Sequence, residues 1–272
     1  MQRLLRYIPV SRLPLSLIDK VRGILSSVYE KILWRQIKDG NMPNHLGVIL
    51  DGNRRFARQH GWDVWVGHKY GAEKVRDFLE WCWESKIKIV TLYAFSTENF
   101  QRSRREVDEI MRLAEEKFEQ ILKEARIHKY KVRIKAIGRI NLLPPRVQEA
   151  IKRAEEATKN YDQYLLNIAI GYGGRAEIVD AIRKIAEEVK AGKIDVKDID
   201  EQLIEKHLYT AGVPDPSLII RTSGEERLSG FLLWQSAYSE LYFCDVYWPA
   251  MRKIDFWRAL RTYQMRERRF GK

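Results

Sequence analysis

The sequence of 272 residues has few cysteines and lacks any long uncharged apolar run. Its two thiols, Cys82 and Cys244, fit neither a metal-ligand pattern nor a disulfide framework, so we expect a reducing compartment, by default the cytoplasm. No segment approaches the roughly 20 apolar residues that span a bilayer. Charges interrupt every apolar run near the amino terminus, which argues against a signal peptide. The sequence therefore predicts a soluble protein.

The motifs of several common chemistries are also missing. The chain has no Gly-x-x-x-x-Gly-Lys-Ser/Thr loop, no Gly-x-Gly-x-x-Gly after the first predicted strand and no Gly-x-Ser-x-Gly elbow. It also has no Cys/His zinc spacing. These absences argue against P-loop, dinucleotide-dependent, serine-hydrolase and zinc-dependent functions.

Acidic residues are fewer than basic ones: the chain has 37 Asp and Glu and 49 Lys and Arg, which gives a formal charge of +12. This excess favours a phosphorylated or polyanionic partner, or an anionic membrane surface, and by itself does not choose among them. The chain shows no recognised nucleic-acid-binding module and no aromatic and basic strand pattern. A basic nucleic-acid-binding protein is therefore the weakest alternative, and we expect no nucleic-acid partner.

Residues 1–40 combine a strong basic excess with the apolar spacing of a helix. This segment contains eight Lys and Arg residues and only three acidic residues. It leads into the turn-rich segment Gly40-Asn41-Met42-Pro43. We assign residues 1–40 to a basic amphipathic helical extension and residues 41–272 to the main domain. The extension is interpreted either as a helix packed on that domain or as a peripheral membrane contact. Its apolar positions are Leu15, Ile18, Val21, Leu25, Val28 and Ile32.

Beyond the extension, strand and helix patterns alternate to the end of the chain. Such alternation predicts a single α/β domain with a central, mainly parallel six-stranded sheet flanked by helices. The predicted strands are Leu46–Leu50, Ile89–Phe95, Val132–Ile137, Leu165–Ile170, Leu218–Ile220 and Leu241–Val246. The predicted helices are Gly71–Glu84, Arg105–His128, Pro145–Thr158, Ala176–Lys190 and Asp255–Arg268.

The first predicted strand ends on residues that suit a metal and a diphosphate. Asp51 follows the strand directly, and Mg²⁺ commonly binds one or two protein carboxylates together with substrate phosphates. Gly52 lets the backbone approach a ligand closely, and Asn53 can fix a turn or orient a ligand. Arg54 and Arg55 supply forked donors that match phosphate oxygens.

Further polar segments follow other predicted strands, and ligands of open parallel sheets collect at the carboxyl ends of strands. These segments add cations, hydroxyls and carboxylates but no evident nucleophile. The simplest predicted reaction is therefore one in which diphosphate is the leaving group, with Mg²⁺ and arginines stabilising the charge that develops. The segments are Phe95–Arg102 after the second strand, Gly171–Arg175 after the fourth and Arg221–Ser229 after the fifth, with Glu240 just before the sixth.

Six motifs closely resemble those of the cis-prenyltransferases, whose best known members make undecaprenyl diphosphate. The resemblance runs in order from about residue 45 to residue 271. Arg54 and the amino-terminal extension are more typical of archaeal or eukaryotic members than of bacterial ones, and archaeal relatives typically extend geranylgeranyl diphosphate. The matching segments are His45–Arg55, Gly67–Gly71, Thr91–Arg102, Leu166–Arg175, Ile219–Ser229 and Phe231–Trp248, with a family-like ending at Arg266–Gly271.

The resemblance implies an Mg²⁺-dependent transferase that adds isopentenyl diphosphate repeatedly to an allylic diphosphate, geranylgeranyl or farnesyl. Each new double bond would be cis, and the product would be a long-chain polyprenyl diphosphate such as undecaprenyl diphosphate, the precursor of a glycosyl carrier lipid. Residues 41–272 would form the catalytic domain of a homodimer. Asp51 would bind Mg²⁺, with Glu240 as a second ligand that reaches the region shared by the two chains of the dimer.

The resemblance also implies a role for each polar segment. Phe56 would line the substrate mouth. The allylic diphosphate would bind Gly52, Asn53, Arg54, Arg55 and His68. The incoming isopentenyl diphosphate would bind Arg221, Arg227, Leu228 and Ser229, and it would be positioned by Ser96, Thr97, Glu98, Phe100 and Arg102.

The proton acceptor is the least determined of the implied roles. Asn99 stands where the family is often assigned its proton acceptor, yet a neutral amide is a poor base. We therefore expect Asn99 to orient the substrate, and a diphosphate oxygen or His68 to take the proton. Many relatives carry an arginine where this chain has Val64, which leaves Arg58 or Lys69 to supply that phosphate contact.

A polyprenyl product requires an apolar channel. The predicted helix Arg105–His128 and the second strand are candidate walls, and Ala94 is small where a bulky side chain would shorten the channel. Ordinary core packing is the alternative interpretation of these residues. For function, the remaining alternative is a non-catalytic subunit of a heteromeric prenyltransferase. Such subunits tend to lose the Asp-Gly-Asn motif and the phosphate-binding arginines, which this chain keeps.

Overall fold

A six-stranded sheet forms the centre of the computed structural model, which describes residues 28–266. The order of its strands is β3-β4-β2-β1-β5-β6, and each neighbouring pair is parallel. This arrangement confirms the predicted α/β fold with a parallel sheet. The strands are β1 (His45–Ile49), β2 (Ile89–Ser96), β3 (Val132–Ile137), β4 (Tyr164–Tyr172), β5 (Leu218–Arg221) and β6 (Glu240–Phe243).

Helices pack against the two faces of this sheet because side chains alternate along each strand. Leu46 and Val48 of β1 belong to the larger apolar cluster, whereas Ile49 belongs to a smaller one on the opposite face. The helices are α1 (28–37), α2 (Asn53–Gln59), α3 (Val64–Glu84), α4 (Arg104–Ile121), α5 (Ala125–Lys129), α6 (Pro145–Thr158), α7 (Gly174–Lys190), α8 (Glu201–His207) and α9 (Lys253–Met265).

Several predicted boundaries were wrong, and local capping explains one of them. The predicted helix Arg105–His128 is two helices, because α4 ends at Ile121 and α5 begins after Glu124, whose carboxylate accepts from the Arg126 backbone N–H. Helix α3 begins at Val64, seven residues before the predicted start. Sequence periodicity missed the two short helices α2 and α8, and it extended the last strand beyond Phe243.

The described part of the amino-terminal extension packs on the main domain through a different face from the predicted one. Leu33 and Ile37 of α1 are buried, and Trp34 stacks on Trp257 at 4.6 Å between ring centroids. Val28 and Ile32, which belong to the predicted apolar face, are instead 50% and 47% exposed. The other predicted positions, Leu15, Ile18, Val21 and Leu25, lie outside the described residues. Among residues 28–266, no helix is long and apolar enough to cross a membrane.

Candidate active site

A polar pocket of about 230 Å³ lies where β1 ends and α2 begins. It is at the carboxyl edge of the parallel sheet, where ligands of open α/β folds bind. The structure thus brings most of the residues predicted for the allylic diphosphate into one place. The pocket is lined by Leu50, Asp51, Gly52, Asn53, Arg54, Arg55, Arg58, His68 and Arg102.

Gly52 determines how the chain turns from β1 into this pocket. Its φ of 103° lies in the region that favours glycine, and a Cβ there would come within 2.8 Å of the Tyr247 ring and 3.0 Å of the Ser223 Cβ. Its N–H donates to Asp51 Oδ1 at 2.7 Å. The turn therefore holds the Asp51 carboxylate at the start of α2.

Two glycines of α3 let that helix pack directly on the start of α2. A Cβ on Gly67 would lie 2.1 Å from the Asn53 carbonyl oxygen, and one on Gly71 would lie 2.3 Å from Asn53 Oδ1. Asn53 Nδ2 donates to the Leu50 carbonyl at 3.4 Å, while its buried Oδ1 has no hydrogen-bond partner in the described structure. These close approaches account for Gly67 and Gly71 in the sequence motif around His68.

The Asp51 carboxylate is held as an anion by two arginines. Arg221 Nη2 donates to Asp51 Oδ2 at 2.8 Å, and Arg55 Nη2 lies 3.5 Å from the same oxygen. Burial acts to raise the pKa of Asp51, but the hydrogen bond and charge of Arg221, with the Gly52 N–H and Arg55, outweigh burial and lower that pKa. The carboxylate is therefore ionised at neutral pH.

The segment after β5 completes this side of the site. Arg221, whose side chain is 5% exposed, donates through Nη1 to Ser229 Oγ at 2.8 Å and to the Arg227 carbonyl. Arg55 donates to Glu225 at 3.0 Å. The Arg227 guanidinium is 63% exposed, pairs with Glu225 and does not line the polar pocket.

An apolar cavity of about 270 Å³ continues from the polar pocket beneath α3 and α4. The two spaces share Leu50, Asn53 and His68, so they adjoin each other. The predicted channel walls are both present, because β2 contributes Ala94 and α4 contributes several apolar residues. The apolar lining includes Val75, Leu79, Leu92, Ala94, Phe95, Ile110, Leu113, Ala114, Phe118, Ile121, Ile127, Leu166, Ile168 and Ile170.

Comparison with known proteins connects this geometry to a family. A family model described as putative undecaprenyl diphosphate synthase matches residues 49–271. The chain belongs to the undecaprenyl diphosphate synthase family. It is therefore a prenyltransferase, as its sequence motifs predicted.

Two similar relatives of this prenyltransferase come from archaea. One from Methanocaldococcus jannaschii is 60% identical over 252 residues, which are 92% of this chain and 90% of the relative. One from Methanopyrus kandleri is 56% identical over 245 residues, 90% of each chain. Both are named tritrans,polycis-undecaprenyl-diphosphate synthase (geranylgeranyl-diphosphate specific).

Solved structures agree with the fold of this prenyltransferase. Lavandulyl diphosphate synthase from Lavandula x intermedia, in complex with dimethylallyl diphosphate, superposes with a TM-score of 0.82 and 38% identity. The match covers 85% of this chain and 99% of that one. A probable undecaprenyl diphosphate synthase from Campylobacter jejuni gives a TM-score of 0.70 and 34% identity, over 85% of this chain and 100% of that one.

Glu240 does not lie beside Asp51 within one chain of this prenyltransferase. It begins β6 and is in register with Leu218 and Leu46, at the amino edge of the sheet, whereas Asp51 follows the carboxyl end of β1. Glu240 instead pairs with Arg266 at 2.6 Å. A metal site built from both carboxylates of one chain is therefore excluded, and a site shared between two chains stays a prediction.

The loop after β2 is stabilised by hydrogen bonds between its own residues. Asn99 Oδ1 accepts from the Ser96 N–H at 3.1 Å, so this amide caps the 3-10 turn of residues Thr97–Gln101. Phe100 packs edge-on against Phe95 at 4.9 Å, and Glu98 is exposed. Arg102, at the end of the loop, is the residue of this segment that lines the polar pocket. The catalytic role of Asn99 stays a prediction.

Other predicted residues lie around the site without lining the polar pocket. Phe56 belongs to a partly exposed group of rings, 4.4 Å from His60 and 6.0 Å from Tyr70 between centroids. Thr97 packs on Gly173, where an added Cβ would meet its Oγ1 at 2.6 Å. Leu228 packs against the smaller apolar cluster. Their proposed substrate contacts remain predictions.

Sequence reasoning missed Glu106, which contacts residues of the site. Its buried carboxylate contacts His68 and Arg102, which line the polar pocket. The available signal was the motif Ser103-Arg104-Arg105-Glu106, which is typical of a capping box. The Glu106 N–H does donate to Ser103 Oγ at 3.3 Å, but its carboxylate contacts the pocket residues. Arg58, which the sequence offered as a replacement for the arginine absent at Val64, lines the pocket, whereas Lys69 does not.

Proposed function

We propose that this prenyltransferase extends geranylgeranyl diphosphate by repeated addition of isopentenyl diphosphate, with cis double bonds, to give a polyprenyl diphosphate such as undecaprenyl diphosphate. The observation that carries the proposal is the junction of the polar pocket with the apolar cavity at Leu50, Asn53 and His68. A diphosphate held in the first would place its apolar tail in the second. The primer is supported by the names of relatives that are 60% and 56% identical.

The polar pocket suits the allylic diphosphate because cationic donors converge on it. Arg54, Arg55, Arg58 and Arg102 line it together with the Asp51 carboxylate. Mg²⁺ commonly binds only one or two protein carboxylates, because substrate phosphates and water supply its other ligands. A single ionised carboxylate in the pocket therefore fits an Mg²⁺ ion that binds together with the diphosphate. Asp51 would hold the metal, which would supply neutralisation of the charge on the departing oxygens.

The reaction would break the allylic C1–O bond, with the electron pair leaving on diphosphate. The electrons of the isopentenyl double bond would form the new C–C bond to the allylic C1. The isopentenyl unit would then lose a proton to a diphosphate oxygen or to His68, which forms the new double bond. Arg54, Arg55 and Arg58 would stabilise the departing diphosphate. The apolar cavity would take the lengthened chain, which burial of its surface favours.

The second diphosphate would bind beside Asp51, near Arg221 and Ser229. These two residues are already joined by a hydrogen bond of 2.8 Å. Arg227 would have to leave its ion pair with Glu225 to reach the same ligand. Because that pair is exposed to solvent, its loss costs little.

The experiment that tests this function uses the full chain with Mg²⁺, radiolabelled isopentenyl diphosphate and a panel of allylic primers. We expect a lipid-soluble product, formed fastest with the geranylgeranyl primer, and no product when a chelator removes Mg²⁺. If no primer yields a lipid-soluble product, the enzymatic proposal fails. A product with farnesyl but not geranylgeranyl diphosphate would overturn the primer alone.

A homodimer is part of this proposal, and variants of Glu240 test whether its two chains share a metal site. Strand β6 is at the edge of the sheet, where unpaired backbone groups favour pairing with another chain. If Glu240 of one chain joins Asp51 of the other, a mixture of Asp51→Ala and Glu240→Gln chains that exchange subunits will regain activity at one site. If the mixture stays as inactive as each variant alone, the shared site is excluded. Sedimentation velocity measures the dimer itself.

A further inference from the structure

Glu106 lies behind the polar pocket and contacts three of the groups that face it. Its side chain is 9% exposed in the first turn of α4. Oε1 lies 3.0 Å from His68 Nε2, 3.1 Å from Arg102 Nη1 and 3.4 Å from Arg54 Nε. These three groups come from α3, from the loop before α4 and from α2, and each lines the polar pocket. One carboxylate oxygen therefore joins three separate segments of the site.

The contact with Glu106 determines which ring nitrogen of His68 carries hydrogen. An ionised carboxylate only accepts hydrogen bonds, so His68 Nε2 is the donor. Burial lowers the pKa of His68, while the hydrogen bond to Glu106 acts to raise it and the charges of Arg102 and Arg54 act to lower it. The ring is therefore neutral at neutral pH, and its Nδ1 is an unprotonated acceptor.

The same oxygen also brings two like charges together. Arg54 and Arg102 both approach Oε1, and without an anion between them their guanidinium groups would repel each other. Burial lowers the pKa of Arg102, and the charge of Glu106 opposes that effect. The anion thus holds the two guanidinium groups adjacent at the polar pocket.

We propose that Glu106 is a positioning residue that holds Arg54 and Arg102 at the polar pocket and fixes His68 as the Nε2–H tautomer. Nδ1 of His68 is then the ring atom that accepts a hydrogen bond or a proton in the allylic site. The role in catalysis rests on the proposed function. The positioning does not, because it is a property of the ligand-free protein.

The test compares Glu106→Gln with the matched variant Glu109→Gln, which lies one turn further along α4 and pairs at the surface with Arg112. Nitrogen-15 NMR of the histidine rings reports the tautomer and pKa of His68 in the ligand-free full chain. We expect Glu106→Gln to lower the pKa of His68, because the carboxylate that raises it is gone. We expect Glu109→Gln to leave His68 unchanged.

Calorimetry with inorganic diphosphate then distinguishes the loss of arginine positioning from the simple loss of one negative charge. Removing a negative charge beside the pocket would by itself strengthen binding of an anion. Loss of positioning would weaken it, and we expect affinity to fall by about tenfold, because a neutral amide forms weaker hydrogen bonds to guanidinium than a carboxylate does. Unchanged or tighter binding of diphosphate, or an unchanged His68 titration, would overturn the proposal.

The pH dependence of turnover gives the catalytic consequence. If His68 Nδ1 takes the proton, the acid limb of kcat/KM follows the pKa of His68, and that limb moves to lower pH in Glu106→Gln but not in Glu109→Gln. A limb that stays in place while the NMR titration moves excludes His68 as the proton acceptor and retains the positioning role. A chain that makes no product, yet shows both NMR and calorimetric changes, contradicts the proposed function and not the role of Glu106.

Discussion

The polar pocket and the apolar cavity adjoin each other, yet they are built in opposite ways. The pocket takes most of its lining from one short stretch, residues 50–58, with His68 and Arg102 added. The cavity takes its lining from one face each of α3 and α4 and from β2 and β4, spread over about a hundred residues of sequence. The pocket depends on individual atoms, whereas the cavity depends on the volume that many side chains leave open.

This difference predicts two kinds of response to substitution. Under the proposed function, each hydrogen-bonding or charged group of the pocket would act on the reacting diphosphate, so the loss of one such group would affect every turnover. In the cavity, one side chain would change only the space proposed for the growing chain, so its substitution would change the product and leave the chemistry in place. The predictions below test this contrast, beginning with the largest effect.

Asp51→Ala is expected to abolish elongation, with a loss of at least about a thousandfold in kcat/KM. The variant loses the carboxylate proposed to hold Mg²⁺ against diphosphate. Its fold is expected to persist because Arg221 keeps its bonds to Ser229 and to the Arg227 carbonyl. Radiolabel incorporation measures the first effect and circular dichroism the second.

The control for Asp51→Ala is Asp63→Ala, which removes an exposed carboxylate at the start of α3 that makes no capping hydrogen bond. It is expected to retain activity. Elongation by Asp51→Ala at more than about a tenth of the normal rate would show that the pocket does not depend on this single group.

Ala94→Leu is expected to change product length without abolishing activity. Ala94 lies on β2 and lines the cavity together with residues of α4, so a larger side chain would occupy space that is proposed for the growing chain. Products should contain fewer isoprene units, as thin-layer chromatography of the dephosphorylated lipids would show. Ala191→Leu, at an exposed helix end, is the control for the same change of side chain. An unchanged distribution in Ala94→Leu would exclude Ala94 from the channel wall.

Gly71→Ala is expected to destabilise the protein by about 1–3 kcal/mol, because its Cβ would meet Asn53 Oδ1 at 2.3 Å. Urea unfolding measures this cost. The same substitution in an Asn53→Ala background should cost much less, since the atoms in conflict are gone. Equal costs in the two backgrounds would show that Gly71 is required for a reason other than its contact with Asn53.

The two regions also differed in how well the sequence predicted them. Residues 51–55 were predicted individually, because carboxylate, glycine, amide and guanidinium groups that follow a buried strand together are typical of a phosphate-binding site. His68 was predicted from the resemblance to the family. The channel was predicted only by its walls, since apolar spacing fits a cavity and a packed core equally well. Glu106 was missed because it lies in the first turn of α4 and not in the segment that directly follows a strand.

Motifs and periodicity also cannot show where the fold brings residues that are distant in sequence. Parallel register puts Glu240 at the edge of the sheet opposite to Asp51 within one chain, so a metal site with both carboxylates needs a second chain and stays a prediction. Val28 and Ile32 fit a helical stripe, yet α1 buries Leu33 and Ile37 instead. Periodicity identifies an apolar face and cannot show which of two faces a neighbouring helix will cover.

The smallest expected effect concerns the ion pair between Lys117 of α4 and Glu73 of α3, at the edge of the apolar cavity. Both side chains are partly exposed, so Lys117→Gln should lower the free energy of unfolding by less than about 1 kcal/mol. It should leave the affinity for inorganic diphosphate unchanged, because Lys117 does not line the polar pocket. Arg112→Gln, on the same helix, is the control. A tenfold loss of diphosphate affinity in Lys117→Gln would show that the two regions are coupled, because charge at the edge of the cavity would then act on the pocket.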